Sequence, residues 1–156
     1  MKLINNIDTS DLTIDLDELA DMDIKDLFRR ALYFFHSPSR KNAYIMFKKV
    51  AEKNPNYIHN PEDAGGDNAY FYLGLFYLDD IENIDGAIEL FNKAVELCPH
   101  DGASWENRGY CWMAKGEYEK AIDDYENALK ADFGSTDEGE IKSAIKEAKK
   151  ALKKGG

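Results

Sequence analysis

Acid–base or metal chemistry in this chain would have to come from its carboxylates, three histidines and two cysteines. Asp and Glu number 30, yet a helical spacing turns most of them to solvent, and no nucleophile stands beside a base. His36, His59 and His100 lie far apart and match neither a zinc-ligand nor a catalytic spacing. His36 ends a helix-forming stretch, where a cation simply favours the helix dipole. Cys98 and Cys111 sit among apolar residues and read as core or interface fillers. The densest set, His59, Glu62, Asp63 and Asp67, could surround a cation, but its spacing is not that of a calcium loop. Gly65-Gly66 and Gly155-Gly156 lack the flanks of a phosphate-binding loop. The expectation is therefore no catalysis, no cofactor and no metal.

Composition limits the partners. The chain has 156 residues, close to one ordinary domain, and 44% of them are apolar, enough for a core. Lys and Arg total 20 against 30 acids, giving a net charge of −10. A phosphate backbone or an anionic membrane needs surplus cation, so neither nucleic acid nor membrane is the expected partner. No apolar run approaches the roughly 20 residues of a membrane span. The start, Met1 to Asp8, turns polar before it makes a signal-peptide core. Two cysteines cannot build a disulfide framework, which points to a reducing cytoplasm.

The chain repeats itself. Tyr70, Leu73, Gly74 and Tyr77 are followed by Ala87, Phe91, Ala94 and Pro99. Trp105, Arg108, Gly109 and Trp112 are followed by Ala121, Tyr125 and Ala128. Ala87 and Ala121 are 34 residues apart. A weaker copy upstream holds Leu27, Arg30, Ala31 and Phe34, then Ala43, Phe47, Val50 and Pro55. Leu27 to Ala43 and Trp105 to Ala121 each span 16 residues, and Tyr70 to Ala87 spans 17, so the middle copy carries one extra residue in its turn. Spacings of three and four put each set on one helix face, so each copy is a pair of amphipathic helices, A and B. Small residues mark where the helices approach, and large aromatics fill the space beside them. The patterns predict helices near 24–37, 40–54, 67–80, 84–98, 102–115 and 118–131, and a last one near 137–154. Asp67 and Asp101 are candidate N-caps, and Gly116 a left-handed C-cap. The last helix sets Ile141, Ala144, Ile145, Ala148 and Leu152 on one face and lysines on the other, as a terminal cap should.

These residues resemble the tetratricopeptide repeat family, whose pattern is W-x2-L-G-x2-Y, then A-x3-F and a closing P. The third copy matches best, with Arg108 in place of Leu and Phe133 in place of the closing Pro. Sel1-like repeats share the helix pairs with longer turns, and the extra residue near Asp79–Asp85 leans that way, whereas Pro99 and the 34-residue step favour tetratricopeptide repeats. The resemblance implies an all-α fold, a right-handed solenoid of antiparallel helix pairs closed by a C-terminal capping helix. The organisation is an acidic segment over 1–23, then a repeat domain over 24–156 with repeats at 24–55, 67–99 and 102–134 and the cap at 137–154.

Proteins of this family usually bind a peptide or protein on a concave face built from the A helices. In register, the inward positions are Lys25, Phe28, Arg29, Leu32, Phe35 and His36 in the first repeat. The second offers Asn68, Phe71, Tyr72, Leu75 and Leu78, and the third Ala103, Glu106, Asn107, Tyr110 and Met113. The expected function is non-catalytic binding of a partner's peptide or helix in this aromatic groove. Phe28, Leu32, Phe71, Tyr72, Leu75 and Tyr110 would carry affinity, and Arg29 and Asn107 would orient polar groups. The alternative is a homo-oligomeric scaffold that buries the groove by self-association. Family members that clamp a C-terminal carboxylate use Lys and Asn, then Asn, then Lys and Arg on successive A helices. Phe28 and Leu32, Tyr72, and Ala103 and Asn107 stand there instead, so a carboxylate would lie unpaired in an apolar groove.

Two segments fall outside the repeats. Residues 1–26 carry eight acids and two lysines, whereas 141–156 carry six lysines and one acid. Leu12, Leu16 and Leu19 keep helical spacing while Leu12, Ile14 and Leu16 keep strand spacing, so the segment is open between the two. It is either a groove occupant, a clasp on the basic cap or a solvated tail. Pro55 to Tyr70 is 15 residues where Pro99 to Trp105 is six, which predicts a long loop over 56–67 that could carry function.

Overall fold

The computed structural model describes residues 14–61, 66–131 and 137–155. Among these the chain forms α1 (Leu16–Asp21), α2 (Ile24–Phe35), α3 (Arg40–Lys53), α4 (Ala69–Asp79), α5 (Ile84–Leu97), α6 (Gly102–Ala114), α7 (Tyr118–Lys130) and α8 (Glu138–Gly155). The main contacts join chain neighbours from α2 to α8, with α1 laid against α3, so the architecture is the expected α-solenoid of helix pairs. The only pairing of extended backbone among the described residues is His59 with Asp67. No described helix is long and apolar enough to cross a membrane.

Local chemistry starts and stops these helices. Asp15, Asp23, Asn68, Asn83 and Asp101 each accept a first-turn backbone N–H through the side chain. Asn68, and not Asp67, caps α4, because Asp67 is held outside the helix by its backbone pair with His59. Gly116 takes the left-handed C-cap conformation between α6 and α7, with φ 76°. In the second repeat the extra residue moves that role to Glu82, at φ 55°, so the insertion is absorbed in the turn and the helix faces keep register. The acidic segment resolves as helix at Leu16–Asp21, where Leu19 is buried and Glu18 meets Arg30 at 2.5 Å. Residues 1–13 lie outside the described part of the chain, as does Phe133.

Helix pairs close where a side chain is missing. A Cβ on Gly74 would stand 2.6 Å from the Phe91 ring, and one on Gly109 would stand 3.0 Å from Tyr125. The first five helices and Cys111 of α6 share one apolar cluster, while Ala121, Tyr125, Ala128, Ile141 and Ile145 make a second one under the cap. On the capping face Ile141, Ile145 and Ala148 are buried and the lysines lie outside, but Leu152, placed on the same stripe, is 39% exposed.

Arg108, where the family pattern has Leu, has a partner that explains it. Its Nε and Nη2 donate to the two carboxylate oxygens of Asp124 at 2.7 Å each. The side chains are 16% and 4% exposed, so this is a buried, bidentate pair between α6 and α7. Nη1 adds a bond to Asn92 of α5 at 2.8 Å, and the guanidinium lies over Trp105. An interior ion pair replaces an apolar contact and ties three helices together.

Two outcomes follow. Arg108→Leu should cost about 3–5 kcal/mol in urea unfolding by stranding the Asp124 carboxylate, and Arg108→Leu with Asp124→Leu should recover most of that. Gly74→Ala should cost about 1–3 kcal/mol by overpacking Phe91, clearly more than Gly109→Ala, where the same gain in helix propensity meets a milder contact.

Candidate functional site

The A-helix face splits into a filled end and an open end. At the filled end Phe28 of α2 is 0% exposed and Tyr72 of α4 is 9% exposed. Phe28 packs its ring edge on Phe47 and stacks on His59, centroids 4.6 Å apart and planes 15° apart. Tyr72 stacks face to face on Phe47 at 4.4 Å and meets Phe35 and Phe71 edge-on. The expectation that Phe28 and Tyr72 face a partner is thus corrected: both are core residues. The reason is the segment between α3 and α4. His59, itself 4% exposed, covers Phe28, and its Nδ1 lies 3.0 Å from the Tyr57 hydroxyl.

The chain holds this segment in place by its backbone. His59 and Asp67 exchange N–H···O bonds of 2.7 and 2.9 Å. Next to this pair, Asn60 at φ 47° and Gly66 at φ 79° take left-handed backbone, and a Cβ on Gly66 would strike Ile58. The Tyr72 hydroxyl donates to the Asp67 carboxylate. Burial, then the neighbouring Asp101, raises the Asp67 pKa above its ordinary value, while Tyr72 and His59 pull it back. Burial raises the Tyr72 hydroxyl further, so it stays a neutral donor. His59 and Asp67, half of the candidate cation set, are thus built into the wall. Glu62 and Asp63 lie outside the described residues. Among the described residues no three of His, Cys, Asp and Glu converge to hold a metal ion.

The remaining candidates do not gather at one place: Arg29 and Leu32 stay on α2 with Phe28, Phe71 and Leu75 lie on α4, and Asn107 and Tyr110 stand on α6 at the open end. Leu32, Phe71 and Leu75 are partly buried against the core with one side outward. Arg29 is exposed and pairs with Asp26 of its own helix at 3.1 Å. Asn107 donates to the Ala103 carbonyl at 2.8 Å, which fixes its amide. Tyr110 is 57% exposed. Beside it lies a cavity of about 260 Å³ lined by Glu106, Asn107, Tyr110, Tyr125, Glu140, Ile141 and Ala144. The last three come from α8, so the capping helix completes this end of the face. Sequence reading assigned α8 only a capping role. The available signal was that its apolar stripe must meet the preceding pair and bring Glu140 along.

The buried thiols take no part. Cys98 and Cys111 are free and buried, and burial above all pushes the Cys111 pKa up to about 12.

With this geometry in view, two models of the tetratricopeptide repeat match, over residues 67–101 and 103–132. The chain contains two tetratricopeptide repeats. Tetratricopeptide repeat protein 36 of Caenorhabditis elegans is 41% identical over 46 residues, 30% of this chain and 26% of that protein. A DnaJ homolog subfamily C member 7 homolog of Dictyostelium discoideum is 31% identical over 121 residues, 78% of this chain and 21% of that protein. The chain thus spans about a quarter or less of either relative. Among solved structures, the first repeat domain of Spaghetti (RPAP3) bound to an HSP90 peptide superposes with a TM-score of 0.63 at 19% identity. That match covers 89% of this chain and 96% of that one, and it shows the shared repeat fold.

The wall at the filled end can be tested. His59→Ala should cost about 1–3 kcal/mol, because it removes the ring that covers Phe28. Urea unfolding reads the loss, and an unchanged midpoint would mean that His59 only rests on the surface.

Proposed function

We propose that this chain is a non-catalytic protein-binding module that takes a segment of a partner protein across the open end of its A-helix face. The observation that carries this reading is Tyr110, 57% exposed at the mouth of a cavity shared by α6, α7 and α8. A large aromatic beside a hollow is the anchor type that interfaces use. Leu75 and Phe71 extend the apolar strip toward α4, and Asn107 offers its amide oxygen to a backbone or side-chain donor. The family and the peptide bound to the RPAP3 domain support the class of function.

The ligand is not a carboxylate-ended tail. Phe28, Leu32, Tyr72, Ala103 and Asn107 stand at the clamp positions, with Asn107 the one polar group among them, and Phe28 and Tyr72 are closed over by the chain itself. A terminal carboxylate placed there would give up its water for no charge-bearing partner. An apolar segment with a few polar groups suits the surface better.

Selection from a random-peptide library against the whole chain tests this. Peptides recovered should bind the Tyr110→Ala protein at least about tenfold more weakly, a loss typical of a central aromatic anchor. Tyr33→Ala serves as the control, since Tyr33 is 74% exposed on α2 away from the open end. Equal binding by the wild-type and Tyr110→Ala proteins would move the site elsewhere.

A further inference from the structure

The open end contains chemistry that a purely apolar ligand would waste. The cavity at α6, α7 and α8 has an aromatic wall in Tyr110 and Tyr125, a fixed amide in Asn107, an apolar floor in Ile141 and Ala144, and carboxylates on two sides in Glu106 and Glu140. Its volume of about 260 Å³ falls below the ~300–1,000 Å³ of pockets that enclose a whole small-molecule ligand. It is the size for one long side chain entering from a bound segment. Resting on the binding function proposed above, we infer that this cavity is a specificity pocket for a basic side chain of the partner, with arginine preferred over lysine.

Each wall answers one part of an arginine. The aliphatic stem lies against Ile141 and Ala144. The planar guanidinium stacks on the exposed Tyr110 ring, which attracts a cation through its π face. Glu106 and Glu140 accept its N–H groups and match its charge. A lysine would satisfy the charge but not the planar stacking. Glu106 also interacts within the chain, and its field adds to burial in pushing the Tyr125 hydroxyl up to about 12. Tyr125 is therefore a neutral hydroxyl at physiological pH and does not compete as an anion.

The other residues of α8 do not oppose this. Its lysines, Lys142, Lys146, Lys149 and Lys153 among them, line a separate hollow with Ile145. Helical spacing sets that stripe on the side of α8 away from Glu140 and Ala144. Lys142 is also engaged by Glu138 at 2.9 Å. The chain as a whole carries −10, so a basic segment is drawn to it at long range and read at short range by this pocket.

The test uses N-acetyl-arginine methylamide as probe and amide shifts of the full chain as readout. Saturable shifts at Glu106, Asn107, Tyr110, Ile141 and Ala144 are expected, stronger than with the lysine amide. The norleucine amide, of similar length and no charge, should leave them unmoved. Glu106→Gln with Glu140→Gln should abolish the arginine response while leaving the rest of the spectrum in place. Shifts that persist in that double variant, or that the norleucine amide reproduces, would overturn the pocket. Library-selected peptides supply an independent reading. Peptides that bind at Tyr110 without a basic residue, joined with a silent arginine probe, would overturn the pocket and leave the binding function standing. A localised arginine response with no peptide bound would support the pocket and count against that function.

Discussion

The structure depends on how closely two helices can approach. An A helix and its B helix meet where one of them offers only a hydrogen or a methyl group and the other an aromatic ring. Gly74 under Phe91, Gly86 under Tyr77 and Gly109 under Tyr125 are the sharpest cases. This contact fixes the angle and separation within a pair, and so decides which side of each A helix is left for the next pair and which for the concave face. Everything placed on that face inherits its position from these contacts. A binding surface built this way is stiff, because moving Tyr110 would mean moving α6 off the Tyr125 ring.

Much of this was legible in the sequence because it is periodic. The small and large positions recur at one step, so each copy checks the others, and the helix ranges expected from them agree with those observed to within a few residues. Arg108 was legible as a departure and not as an interaction. Its partner Asp124 lies 16 residues away on another helix, and nothing in a one-dimensional pattern pairs a buried cation with one carboxylate among 30 acids. The structure turns the departure into a lock among α5, α6 and α7.

The site was less legible, and the reason is specific. An inward register position is defined by the helix that bears it, whereas exposure depends on whatever the rest of the chain lays over it. Phe28 and Tyr72 are at inward positions, yet the segment after α3 folds back and closes them off. That segment breaks the repeat, so no other copy reports on it. Its one readable sign was composition: Tyr57, Ile58 and His59 are large for a solvated loop, and Tyr57 and His59 bear rings. His59, weighed as a metal ligand because of its acidic neighbours, serves instead as an aromatic plate on Phe28.

The same reasoning says where selectivity in a short solenoid should lie. Positions inside the repeat are constrained by packing, and a residue there can vary only as far as its neighbours in the next pair allow. The ends are free of that constraint on one side. Here one end of the concave face is closed by a non-repeated segment and the other is finished by a helix that belongs to no complete pair. Glu140, Ile141 and Ala144 reach the open end because α8 must cover Tyr125 and Ala128, and the cavity they complete is a by-product of that covering. A chain can therefore change what it binds by altering the solvent-facing residues of its cap, such as Glu140, without disturbing a contact that holds a repeat together. On the proposed reading, the lysine face of the cap and its face turned toward Tyr110 would have separate duties, half a turn of one helix apart.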